Sequence, residues 1–420
     1  MDWENLGRKA SKKWEEIREG AAGVREDILC DTTFAPRTGW DYLAHSGTVL
    51  AALMLLQAAT GVLLFFDFRP NPSLAFASHL FIRNDAAFGL LISNIHTLGA
   101  KLIVLLAFVH MIRLMWLASY RGPRAFQWYT GIGLLTLLLF TGFSGYLLPW
   151  SQQSFWACVV GTEALKVVPV LGPFAAGLLR GGDNVAGPTL SRFYVLHVFL
   201  LPAGLAALFW YHVKGVWKTR TIGPEDSLAR ADESACIGCG ACERTCPFSA
   251  VNMVEVAGQE KPRPRFDPDL CNACRACVDR CPVRCISLVC GGAPCVTEPI
   301  YPHNVLRRAF STAAVLFALF FAAYFLPALF IAEKTPADPM LTPEHIKPDW
   351  YFLGPYQVLK VMPSELTGLA ALFAVFMLMV FLPKLDPRGP RDPARRPLFT
   401  LAVKIGVGAF VIFTLWGWVS

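Results

Sequence analysis

Charge is scarce in this chain. Of 420 residues only 16% are Asp, Glu, Lys or Arg, 54% are hydrophobic, and the mean hydropathy is +0.44. A soluble domain carries about 25% charged residues, so an ordinary soluble enzyme is excluded, and collagen-like, coiled-coil and disordered chains fail on the same figures. An apolar stretch is missing from Met1 to Asp27, so no cleavable leader is expected. A secreted disulfide framework is missing too: the 13 cysteines are an odd number, and eight of them crowd between Cys236 and Cys281. That crowding in one polar insert indicates metal ligation on a reducing face. The net charge of +7 is regional rather than general, which orients membrane segments and argues for no nucleic-acid partner.

What the chain has instead is apolar runs near 20 residues long, the length a helix needs to cross a bilayer. Seven spans are expected: Tyr42–Phe66, Ala87–Leu117, Tyr129–Leu148, Leu190–Trp217, Leu306–Ile331, Leu366–Phe381 and Leu398–Trp418. The fold class is therefore an all-α polytopic membrane protein with seven transmembrane helices, interrupted by a small α+β insert. Residues 1–41 form an N-terminal segment, 42–217 the first four spans, 218–303 the insert and 304–420 the last three spans. Arg8, Lys9, Lys12, Lys13, Arg18 and Arg25 precede span one. Arg121 and Arg124 lie between spans two and three, and Lys384, Arg388, Arg391, Arg395 and Arg396 between six and seven. All share one side if seven spans are right, and the positive-inside rule makes that side cytoplasmic. The insert falls on the same side, in keeping with a bacterial inner membrane. The loops 71–86, 151–188 and 333–365 fall on the other.

Four of the eight histidines are arranged in register. His96 and His110 are 14 residues apart on span two, His197 and His212 15 apart on span four. At about 100° per residue each pair stays near one helix face, and the rise separates its members by about 21–22 Å. Both spans run outside to inside, so His96 is level with His197 and His110 with His212. Two facing imidazoles supply both axial ligands of a haem, and two such levels give an electron path across the membrane. A single intramembrane His is commonly a hydrogen-bonded core residue; two level-matched pairs are hard to read that way. Gly47 and Gly61 on span one, and Gly131 and Gly145 on span three, repeat the 14-residue period. They are expected to admit the edge of a flat macrocycle, although such glycines also serve plain helix packing.

Spans one to four resemble cytochrome b of the quinol–cytochrome oxidoreductases, nearer its cytochrome b6 branch. The residues that carry the likeness are Gln57-Ala58-Ala59-Thr60-Gly61, Gly145-Tyr146-Leu147-Leu148-Pro149-Trp150 and Ser191-Arg192-Phe193-Tyr194-Val195-Leu196-His197. The resemblance implies a di-haem four-helix bundle with two b haems on His96, His197, His110 and His212, and gives Arg113 a haem propionate, interfacial snorkelling being its other reading. Two departures stand out. Ser93 occupies the place of a propionate-binding arginine, so the outer haem needs another partner. His45 occupies the place of the cysteine that attaches an extra haem in the b6 branch, and Cys30 is 15 residues away, so no covalent haem is expected. His45 reads either as a group beside an inner quinone site or as an ordinary interfacial histidine.

Pro348-Asp349-Trp350-Tyr351 resembles the Pro-Glu-Trp-Tyr motif of the same family, which implies that Asp349 accepts a proton from quinol at the outer face. Asp is one methylene shorter than Glu, and Trp350 and Tyr351 otherwise fit an aromatic belt. Tyr146 and the 151–188 loop match segments that line that pocket. The last three spans are similar to the subunit IV that accompanies cytochrome b6.

The insert reads Cys236-x2-Cys239-x2-Cys242-x3-Cys246-Pro247 and then Cys271-x2-Cys274-x2-Cys277-x3-Cys281-Pro282. This is the spacing of a bacterial ferredoxin with two [4Fe–4S] clusters, the fourth Cys of each run serving the other cluster. One cluster is assigned Cys236, Cys239, Cys242 and Cys281, the other Cys271, Cys274, Cys277 and Cys246. Zinc knuckles use two Cys-x2-Cys pairs instead. Cys285, Cys290, Cys295, Cys30 and Cys158 are expected to be free thiols.

The resemblance implies a subunit that oxidises quinol at the outer face, with a Rieske protein and a c-type cytochrome as partners and a homodimeric complex in membrane lipid. The fused ferredoxin adds a port for a cytoplasmic electron donor or acceptor. Clusters near −400 mV and an inner haem about 300 mV higher would favour flow toward haem by roughly five decades. The alternative is a quinone reductase fed by ferredoxin or NAD(P)H with an idle outer site, and a third, a non-catalytic assembly subunit, is disfavoured by the spaced Cys and His.

Overall fold

The computed structural model describes residues 32–34, 42–43, 45–219, 223–224, 226–326, 335–344 and 346–420. Cys30 and the basic residues from Arg8 to Arg25 lie outside the described residues, as does the end of the expected fifth span. Among the described residues, seven helices are long and apolar enough to cross a membrane. They are span one Ser46–Asp67, two Gly89–Trp116, three Gly122–Leu147, four Gly187–Trp217, five Ile300–Phe325, six Glu365–Leu385 and seven Pro397–Val419. Each lies where the apolar runs place it, and the sixth is 21 residues rather than 16, long enough to cross without thinning the bilayer. Ser364 caps its start by accepting from the Thr367 backbone N–H, and Pro383 does not break it. The chain is a multi-pass membrane protein.

Span one packs along span two and span three along span four; span five closes on one and two, and span six on three. The buried centre is Val49 and Leu53 of span one, Ile95, Ile103 and Val104 of span two, and Leu319 and Ala323 of span five. Tyr351 joins them from a short helix, Trp350–Val361, that precedes span six and packs on span seven. Most large side chains on the outward faces are exposed, as lipid-facing residues should be. Within span four, Leu196–Leu200 forms a π-turn: the Leu201 N–H bonds the carbonyl of Leu196, five residues back. The next residue, Pro202, has no N–H to give to the regular ladder.

The insert is built from two similar halves. β1 (Thr32–Phe34) pairs antiparallel with β7 (Thr297–Pro299), β2 (Ser227–Ala231) with β5 (Ile286–Cys290), and β3 (Val251–Val254) with β4 (Arg263–Phe266); β6 (Ala293–Pro294) extends β5. Each cysteine run winds into a five-residue helix, Ala241–Thr245 and Ala276–Arg280, entered through a left-handed residue, Gly240 in one half and Arg275 in the other. Arg275 bears a side chain where glycine is easiest, so the second half stores backbone strain that the first avoids.

The insert sits against the end of the bundle where spans two and three join. Phe248 lies against Gly122, whose added Cβ would meet the ring at 3.4 Å. Arg391 Nη2 donates to the Gly223 carbonyl at 2.7 Å, and the Gly223 N–H to that of Asn272 at 3.0 Å. At the same end Asp386 binds Arg121 at 2.6 Å and also holds Arg396 and the Tyr120 hydroxyl. This knot joins the four-span part to the last three spans. We call this end the insert side and the other the far side.

Candidate functional site

The two histidine pairs face one another across the bundle. The rings of His96 and His197 lie 6.3 Å apart centre to centre, nearly perpendicular at 78°. A metal held at about 2 Å from a nitrogen on either side needs about 6 Å between ring centres, so the gap fits a bis-imidazole haem. His110 and His212 form the second pair toward the insert side, with His212 within electrostatic reach of His110. The π-turn explains how a 15-residue gap matches one of 14. It lies at His197 and takes one extra residue into the turn, leaving His212 on the face that meets His110.

Each histidine is oriented by a hydroxyl that the sequence reading missed. Thr60 Oγ1 is 2.8 Å from His96 Nδ1, Ser46 Oγ 2.9 Å from His110 Nδ1, Thr130 Oγ1 3.0 Å from His212 Nδ1 and Ser144 Oγ 3.1 Å from His197 Nδ1. Each hydroxyl already donates its one proton to a backbone carbonyl of its own chain segment: Thr60 to Leu56, Ser46 to Leu43, Thr130 to Phe126 and Ser144 to Thr141. The imidazole must therefore donate from Nδ1–H, which leaves the Nε2 lone pair for iron. The Thr141 carbonyl, 3.0 Å from His197 Nδ1, accepts there as well.

The signal was present: each hydroxyl residue immediately precedes one of the four glycines. Those glycines, expected to admit the edge of a macrocycle, also open onto the imidazoles. A Cβ on Gly145 would lie 2.4 Å from His197 Cε1, on Gly61 3.4 Å from His96 Cε1, on Gly131 3.4 Å from His212 Cε1 and on Gly47 3.8 Å from His110 Cε1. The space they open is taken by imidazole, so that hydroxyl and ring can meet.

Arg113 lies within electrostatic reach of His110 and His45. His45 is buried, with Nδ1 3.0 Å from Ser311 Oγ of span five. At Ser93 a guanidinium arrives from elsewhere: Arg83, in the helix Ala75–Asn84, donates to Ser93 Oγ and Asn94 Oδ1, both at 3.1 Å.

On the far side Asp349 caps the helix Trp350–Val361 by position, although its side chain makes no capping hydrogen bond. Its Oδ1 pairs with Lys101 Nζ at 2.8 Å, and its Oδ2 faces the Tyr351 hydroxyl across 3.5 Å, long for a hydrogen bond. Tyr351 is buried against Gly142, one turn before the Gly145 that faces His197, so this group lies level with the far-side pair. Burial first, then the Asp349 charge, pushes the Tyr351 phenol above its ordinary range, with Tyr146 near enough to add to it. Pro348 and Trp350 flank the carboxylate, Trp350 edge-on to Tyr351 at 5.5 Å. Helices Gln152–Lys166 and Leu171–Arg180 cover this side. Gln153 Nε2 donates to the Lys347 carbonyl at 3.1 Å and so ties the cover to the 348–351 segment.

In the insert the eight spaced cysteines sort into two sets. Cys236, Cys239, Cys242 and Cys281 line one cavity; Cys246, Cys271, Cys274 and Cys277 line a second. Among the described residues no three His, Cys, Asp or Glu side chains close on one point as a single ion requires. Each set of four cysteines lines one common cavity, as the four ligands of a cluster must. Burial first, then Cys271, Cys274 and Cys246, pushes the Cys277 thiol up to about 12, so a set of thiolates is stable there only with cations among them. Phe248, which touches Gly122, lines the second cavity.

Free thiols were expected at Cys285, Cys290 and Cys295, and for two of them this is corrected. Cys290 and Cys295 form a disulfide, because the turn at Gly291 and Gly292 folds β6 back on β5 and brings their Cα atoms within 5.0 Å. Cys285 and Cys158 are free and buried; Cys285 lines the first cavity with its sulfur 3.5 Å from that of Cys281.

Family models match three stretches: Cytochrome b/b6/petB over residues 39–219, a 4Fe-4S dicluster domain over 229–288, and Cytochrome b(C-terminal)/b6/petD over 336–420. Among curated proteins, Cytochrome b of Rhodobacter capsulatus is 30% identical over 96% of this chain and 83% of its own length. Cytochrome b of Rhodospirillum rubrum is 29% identical over 87% and 75%. Cytochrome b/c1 of Bradyrhizobium diazoefficiens is 30% identical over 84% of this chain, which spans 42% of that longer protein. A solved structure titled Hyperthermophilic respiratory Complex III shares the fold with a TM-score of 0.71 and 25% identity, covering 96% of this chain and 90% of its own.

Proposed function

Because the chain belongs to the cytochrome b family, with an iron–sulfur dicluster domain fused between its two cytochrome parts, we propose that it is the quinol-oxidising subunit of a bc1/b6f-type complex. The far side is the outer face of a bacterial inner membrane and the insert side is the cytoplasm. A Rieske protein and a c-type cytochrome receive electrons at the outer face, in a homodimeric complex. The insert is an additional port for a soluble cytoplasmic redox partner.

The observation that carries this reading is a half-buried carboxylate, Asp349, level with the His96/His197 pair. Quinol gives up two protons with its two electrons, and Asp349 is the group placed to accept one of them at the membrane edge. The buried Tyr351 phenol keeps its proton and offers a hydrogen bond to a quinol oxygen or to Asp349 Oδ2.

His96 with His197 and His110 with His212 would hold two b haems through Nε2, with Arg83 and Arg113 as cations for their propionates. The two cysteine sets would hold two [4Fe–4S] clusters. Haem and cluster iron, when bound, supply one-electron chemistry that no side chain here provides. Around them the protein fixes tautomers through Ser46, Thr60, Thr130 and Ser144, excludes water from the apolar bundle, and holds the insert against its inner end through Phe248 and Arg391.

Quinol-driven reduction of a c-type cytochrome by the purified complex tests the assignment. Asp349→Asn is expected to lose it by about 100-fold or more. Unchanged turnover would favour a quinone reductase that takes electrons through the insert and has no use for an outer base.

A further inference from the structure

Lys101 is a charged residue inside span two, five positions after His96 and among apolar neighbours. Ionisable groups at such depth are costly and point to a function served by a partner. Here the partner is Asp349, at 2.8 Å. The Asp349 side chain is 16% exposed and that of Lys101 40%, so the pair stands at the edge of the far-side site rather than in bulk water.

Two features show what the lysine does. The carboxylate of Asp349 makes no capping bond to its own helix, and its hydrogen bond with Tyr351 is stretched to 3.5 Å. Neither holds it. Among the described residues the Lys101 pair is the short contact of this carboxylate, and it engages Oδ1 alone.

We propose that Lys101 is a positioning residue for quinol oxidation: its ammonium fixes the Asp349 carboxylate so that Oδ2 faces Tyr351 and the incoming quinol hydroxyl. A side chain one methylene shorter than glutamate is thereby set in place by a cation from another helix. The inference rests on the reading of Asp349 as the proton acceptor.

The test uses the intact complex, duroquinol as donor and a soluble c-type cytochrome as acceptor. Lys101→Met is expected to lower kcat about 10–100-fold, the cost of a displaced catalytic group, with KM changed less than about threefold. Lys101→Arg is expected to restore most of the rate, and adding Lys101→Met to Asp349→Asn to cost nothing more. Haem content, read from the reduced spectrum, should match the parent in both lysine variants. Parent kcat in Lys101→Met with an inactive Asp349→Asn overturns the proposal and spares the proton-acceptor reading. So does an additive double variant, or loss of haem in both lysine variants, which would make the lysine structural. Parent turnover in Asp349→Asn overturns that reading, and the proposal with it.

Discussion

Gly145 and His197 are in steric register: a Cβ on the glycine would stand 2.4 Å from the imidazole Cε1, closer than any side chain tolerates. Gly47 faces His110 in the same way, but there a Cβ would stand 3.8 Å from Cε1, an ordinary van der Waals contact. The two sites therefore answer differently to one methyl group. Gly145→Ala is expected to displace His197 and cut bound protohaem from about two per chain to about one. Gly47→Ala is expected to retain both. A pyridine assay on the purified polypeptides decides it, and equal retention in both variants would contradict the register.

The hydroxyls give a second, finer expectation. Thr60→Val keeps the shape of the side chain but removes the acceptor for His96 Nδ1–H. Loss of such an outer partner costs about 10–100-fold in metal affinity. A redox titration should show the midpoint of the far-side haem displaced and that of the insert-side haem unchanged. Movement of both would mean a general loosening of the bundle.

Crossed ligation in the insert is testable through Cys246. It ends the first cysteine run in sequence but lines the cavity of Cys271, Cys274 and Cys277. Cys246→Ser is expected to alter the electron-spin signal of one cluster, and Cys271→Ser the same one. Cys290→Ser, which removes the disulfide, should leave both signals intact.

The knot around Asp386 should govern how firmly the two cytochrome parts hold together. Asp386→Ala leaves Arg121 and Arg396, both largely buried, without their carboxylate. Breaking a buried pair costs about 3–5 kcal/mol, and the residual exposure of Asp386 places this one at the low end. A lower melting temperature in detergent, with the haem spectrum preserved until the transition, is the expected result.

Seven spans, four paired histidines and two cysteine runs were legible as positions because each is a one-dimensional pattern. An apolar run of bilayer length can bury its backbone in lipid only as a helix, and helical period then sets which residues share a face. Ferredoxin-type spacing is legible for the same reason: short fixed gaps survive any fold. The glycines were legible as positions, whereas the approach of each to an imidazole was not. That each opens onto an imidazole, and that Ser46, Thr60, Thr130 and Ser144 choose its tautomer, depends on which helix stands opposite. The Cys290–Cys295 bond was missed because its partners carry no cluster spacing and meet only through a turn of two glycines.

By itself the sequence determined the membrane architecture, the haem-ready levels and the dicluster insert, since each follows from local periodicity. Only the tertiary structure decided the rest. The π-turn within span four sets which residues of that helix face span two, and the delivery of Arg83 to Ser93 and the pairing of Lys101 with Asp349 across 248 residues are relations between separate helices. The two pairings share one physical reason. A charge or lone pair in an apolar bundle must find its complement at bonding distance, and the packing of the helices determines which residue is there to meet it.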